Sequence, residues 1–109
     1  MAGLKTIQQG AYLLALSIKS YRANHKHYPR TLIDEMLASD LALFVEMAVR
    51  VSLFEAHNNG KSGWWIEEEC TIENLEKLLE KAINNKDYIS IINYSAMIYA
   101  RNNVDGKQL

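Results

Sequence analysis

The chain has 109 residues, 49% of them hydrophobic and 23% charged, with a formal net charge of -1. That is the size of one domain, long enough to bury a core without metal or disulfide staples, and its composition excludes a disordered chain. A single cysteine, Cys70, excludes an internal disulfide framework, and one proline with five glycines is too little punctuation for a many-stranded β sandwich.

The longest unbroken apolar run, Ala11 to Leu16, is far short of the roughly 20 residues that a membrane span needs. Lys5 and the apolar residues after it faintly imitate a signal peptide, but Gln8 and Gln9 interrupt the run. The expectation is a cytoplasmic protein with no membrane association. The charge is unevenly placed. Residues 1–33 carry Lys5, Lys19, Arg22, Lys26 and Arg30 and no acid, which is +5; the rest carries seven Lys/Arg against thirteen Asp/Glu, which is -6. Parts of opposite sign attract, within one chain or between two.

Leu4, Ile7, Ala11, Leu14, Ile18, Tyr21 and His25 recur at steps of three and four, which predicts a first helix over 4–25. Leu13 and Leu16 widen its apolar arc beyond what one neighbour covers. Gly10 weakens the helix interior and allows a neighbouring helix to come close. Pro29 disfavours helical geometry at Tyr28, so 24–30 reads as a turn, with Thr31 as the cap of the next helix and Asp34 three residues on. Ile33, Leu37, Leu41, Phe44, Ala48, Val51 and Phe54 continue at helical period until Asn58-Asn59-Gly60 stops the helix, with a bend expected near Ser39-Asp40.

Residues 59–70 read as a loop. Thr71 caps a third helix, 72–84, with Ile72, Leu75, Leu79 and Ile83 inward and Glu73, Glu76 and Glu80 outward. Asp87 caps the last element, Tyr88 to Arg101. Its isoleucines and tyrosines favour strand, but it lacks alternation and is apolar almost all round, which predicts a central helix. Residues 102–109 read as a frayed tail. The fold expected is all-α, a small single domain of four helices. The width of the first helix's apolar arc points to a homodimer.

Several constellations offer chemistry. Gly60-Lys61-Ser62 imitates the end of a P-loop, but Glu55 stands where the motif needs its first glycine. His25 and His27 make two metal ligands without a third at a recognisable spacing. Glu73, Glu76, Glu80 and Asp87 could hold magnesium only if a facing helix added carboxylates, and Tyr88 to Arg101 has none. Lys19, Arg22, Lys26 and Arg30 form a basic face for nucleic acid, for a partner protein, or for self-neutralisation against the acidic helix. The sequence pI of about 6.3 speaks against a dedicated nucleic-acid binder. Trp64-Trp65 is the foremost surface candidate, because adjacent indoles do not readily enter one pocket. One packs on the core and leaves the other for a partner, or both pin the loop.

Gly60-x-x-Gly63-Trp64, Cys70-Thr71, Leu75, Leu79, Asp87, Asn93-Tyr94, Met97-Ile98 and Arg101 together resemble the C-terminal signature of small phage and prophage proteins of uncharacterised role. The resemblance covers about the last half of the chain. It implies a helical scaffold, and the function expected is that of a non-enzymatic phage or mobile-element accessory protein that binds a host protein in the bacterial cytoplasm without a cofactor. The same stretch is distantly similar to MazG-like nucleotide pyrophosphohydrolases, which implies magnesium at Glu73, Glu76, Glu80 and Asp87. Asp87-x-x-Ser90 lacks the second acid of that family's pattern.

Overall fold

The computed structural model describes residues 2–105, and these are all-α. Four helices follow one another: α1 (Ala2–Asn24), α2 (Arg30–Asn58), α3 (Ile72–Asn84) and α4 (Tyr88–Val104). The chain divides into two compact units, 1–52 and 53–109, with the division inside α2.

The first unit holds α1 and most of α2. The Tyr21 hydroxyl donates to the Met36 sulfur at 3.2 Å. Further along, a side chain at Gly10 would meet Met47 Cε at 2.5 Å and Phe44 Cδ1 at 3.4 Å. Tyr21 with Met36 and Gly10 with Met47 share one sum of residue numbers, the signature of two antiparallel helices in constant register. Glycine at position 10 gives room to the Met47 methyl, against a helix-propensity penalty of about 1 kcal/mol. Ile7 and Ala48 are buried on the two helices. At the turn, the Tyr21 and Tyr28 rings meet edge to face with centroids 6.5 Å apart.

The start of α2 differs from the sequence expectation. Helix begins at Arg30, and the Pro29 carbonyl accepts from the Ile33 amide at 3.2 Å. Thr31 thus sits inside the first turn and is not the cap. Proline's fixed φ and missing N–H suit this boundary, where no amide bond is needed. The helix continues through Ser39 and Asp40 without a break. Leu41 and Phe54, both on the apolar helical-period run of α2, are more than half exposed.

In the second unit α3 packs on α4 across the short connection 85–87. α2 ends in a Schellman motif. The Gly60 amide donates to the His57 carbonyl at 3.0 Å, the Lys61 amide donates to Ala56 at 2.9 Å, and Gly60 has φ +86°. α3 ends in the same way, Lys86 to Ile83 at 3.1 Å and Asp87 to Ala82 at 2.9 Å, but the left-handed residue is Lys86 at φ +56°. Thr71 Oγ1 accepts from the Asn74 amide at 3.0 Å, capping α3. Asp87 caps α4 through the Ser90 amide at 3.3 Å.

Ile72, Leu75 and Ala82 are buried on α3, facing a buried stripe of Asn93, Met97 and Arg101 on α4. Ile83 was expected inward and is 53% exposed. Ala82, seven residues beyond Leu75, takes the inward place, which turns Ile83 about 100° aside. Asn102–Val104, expected to be frayed, are helical. The helix is held there by the Asp105 amide on the Arg101 carbonyl at 2.9 Å and the Asp105 carboxylate on Arg101 Nε at 3.3 Å. Residues 106–109 of the expected tail lie outside the described residues.

Candidate interaction site

The loop between α2 and α3 is not slack. Gly63 is buried with φ +83°, and a Cβ there would sit 2.6 Å from Glu69 Oε1. Only glycine combines that backbone with that space. Turn bonds follow in series: the Ile66 amide to Gly63 at 3.0 Å, Glu69 to Ile66 at 3.1 Å and Cys70 to Ile66 at 2.8 Å. The segment is a run of closed turns delivered into the Thr71 cap.

Arg101 of α4 holds this loop from beneath. It is 3% exposed. Nη1 donates to the Trp64 carbonyl at 2.6 Å and to the Cys70 carbonyl at 2.7 Å. Nη2 pairs with the Glu67 carboxylate, and Nε with Asp105. A planar guanidinium with five fixed donors is suited to this, because it binds several oxygens in different directions at once. Two carboxylates supply the countercharge that a buried cation requires.

Above the clamp the two tryptophans part. Trp64 is half-buried, whereas Trp65 is 66% exposed. Glu68 and Glu69, three and four residues further along, are exposed, and Cys70 is partly covered, its Sγ accepting from Asn74 Nδ2 at 3.5 Å. An indole in water offers a large apolar area and one N–H donor. On a loop pinned at Trp64, Glu67 and Cys70, docking that ring would order little further backbone, which is the costly part of binding through a loop.

The basic residues belong to the first unit. Lys19, Arg22, Lys26 and Arg30 are all exposed. Arg22 and Arg30, with His25, line a shallow cleft floored by Ile18, Tyr21, Ile33 and Leu37 and rimmed by Asp34; Lys19 and Lys26 lie outside its lining. The carboxylates of the magnesium reading do not converge. Glu73, Glu76 and Glu80 are exposed along α3, and Asp87 accepts from the Ser90 hydroxyl at 2.7 Å as well as from its amide. Among the described residues no group of three His, Cys, Asp or Glu is placed to hold a metal ion, and no helix is long and apolar enough to cross a membrane.

Arg101 and Glu67 are the residues that sequence reasoning missed as a pair. They are 34 positions apart, and no local spacing joins them. The one available signal was Gly63, whose place before two tryptophans marked a loop of fixed shape. Compared with known protein families, with curated proteins and with solved structures, the chain matches none.

Proposed function

We propose that this chain is a non-enzymatic interaction protein that presents Trp65 to a partner protein. The observation that carries the reading is the pairing of a 66% exposed indole with a loop clamped by a buried arginine. Aromatic side chains on slack loops lose much of their affinity to ordering the backbone, and the backbone that carries this one is held at Trp64 and Cys70. The complementary partner has an apolar socket for the ring and basic residues at its rim, opposite Glu68 and Glu69. The resemblance of the C-terminal half to small phage proteins supports a host protein as that partner, met in the bacterial cytoplasm.

The test is capture from a bacterial lysate followed by titration of the purified captured protein. Trp65→Ala should weaken binding by about thirtyfold or more, the loss of a hot spot of about 2 kcal/mol, while the melting temperature stays at the wild-type value. Retained binding, or a large fall in melting temperature, refutes the reading and makes Trp65 a packing residue.

A further inference from the structure

We infer that the first unit self-associates into a symmetric dimer in which α1 of one copy packs against α2 of the other. The inference concerns residues 2–52 and stands apart from Trp65. Three apolar side chains on α1, Tyr12, Leu13 and Leu16, and three on α2, Leu32, Met36 and Leu43, are between 42% and 65% exposed. Leu4 and Leu41 are exposed as well, away from these six. On α2 the three fall at steps of four and seven, one stripe of a helix; on α1 the three lie one, three and four apart, one patch. Leu13 is level with Leu43 in the antiparallel register that Gly10 and Met47 define. At on the order of 100 Å² each, the six offer roughly 600 Å² per copy, against about 800 Å² per partner in a specific interface.

Charge selects the second copy and its orientation. α1 carries Lys5, Lys19 and Arg22 and no acid; α2 carries five acids against Arg30 and Arg50. Among the described residues Lys5, Lys19, Arg22, Asp34, Glu35 and Asp40 make no ion pair within the chain. The charges of these six residues are thus not spent on ion pairs within the chain, whereas Glu46 is paired with Arg50. Stacking two such hairpins with α1 on α1 would set cation against cation, and α2 on α2 acid against acid. Only α1 against the partner's α2 matches sign along both seams, and a two-fold axis then makes both seams alike.

The full chain should sediment at twice 12.5 kDa at high micromolar concentration. Leu43→Glu should give single chains with unchanged helix content, because Leu43 is 63% exposed within the chain. A charge-reversal pair tests the orientation. Lys5→Glu with Lys19→Glu, and separately Asp34→Lys with Glu35→Lys, should each weaken self-association, and an equimolar mixture should form a dimer holding one chain of each kind. A wild-type mass of one chain overturns the inference. So does a Leu43→Glu dimer, or a mixture that forms no mixed species. A wild-type monomer that Leu43→Glu destabilises means that another part of the same chain covers this face, which also overturns it. Trp65→Ala should leave the dimer intact, so failure here and failure of the proposed function are read separately.

Discussion

Arg101 is the side chain on which the loop of the second unit depends, and its replacement should be strongly destabilising. Arg101→Met keeps much of the side-chain length but leaves the Trp64 and Cys70 carbonyls without their donor and the Glu67 and Asp105 carboxylates without their cation. Breaking a buried pair from one side costs about 3–5 kcal/mol. We expect a loss of about 3 kcal/mol in urea melts, because Glu67 can relax into water. Arg101→Lys should not rescue it, since an ammonium group cannot fork to both carbonyls. Equal stability of Arg101→Met and wild type would show the clamp to be idle. Lys86 makes the opposite case. It holds φ +56° at the end of α3, where glycine is the favoured residue, so Lys86→Gly should stabilise by about 1 kcal/mol in the same melts. A neutral or destabilising result would mean that the lysine stem contributes packing there. Neither role was legible in the sequence. An arginine in the last turn of a helix reads as a solvated partner of the helix dipole, and apart from Asp105 the partners of Arg101 lie 31 to 37 residues upstream.

The helices themselves were legible wherever the signal was local. Thr71 and Asp87 cap α3 and α4 as their spacing predicts, and Asn59-Gly60 closes α2. The tyrosines and isoleucines of α4 favour strand, but a capped start and burial of Asn93, Met97 and Arg101 at four-residue steps outweigh that preference. What periodicity could not settle was which residue of an apolar arc sits at its centre. That is decided by the neighbouring helix, so Ala82 is buried and the larger Ile83 is not. The start of α2 was misread for a related reason, since Thr31 has a capping side chain but Pro29 already fixes the boundary. The Thr71 cap carries a prediction. Thr71→Ala removes the acceptor for the Asn74 amide at the start of a helix of only 13 residues. Stability should fall by about 1 kcal/mol, and Thr71→Ser should recover most of it. Amide exchange at the first turn of α3 reads the effect directly. An unchanged rate at Asn74 would show that water replaces the hydroxyl at no cost.

The whole chain carries a thin apolar core for its length. Among the described residues the buried apolar side chains are Ile7, Ala48, Ile72, Leu75, Ala82 and Met97, and only Leu75 is a large side chain with almost nothing exposed. Two of the six are alanines. A 12.5 kDa chain has to offset on the order of 100 kcal/mol or more of conformational entropy through burial, and small cores leave little surplus. The first unit contributes only Ile7 and Ala48 to that set while leaving Tyr12, Leu13 and Leu43 in water. Association that covers those side chains would add to the stability of the folded state by mass action, because the unfolded chain has no such face to pair. Thermal unfolding should therefore depend on protein concentration. Each tenfold dilution removes about 1.4 kcal/mol per mole of dimer. Spread over the unfolding entropy of two chains of this size, that lowers the melting temperature by about 3 °C. Circular dichroism melts over a hundredfold range of concentration measure it, since helix content reports both units together. In Leu43→Glu the dependence should vanish, and its melting temperature should match that of the most dilute wild type. A wild-type melting temperature that stays fixed across the range would mean that the core within one chain is sufficient, and that the exposed stripe on α2 contributes nothing to holding the fold.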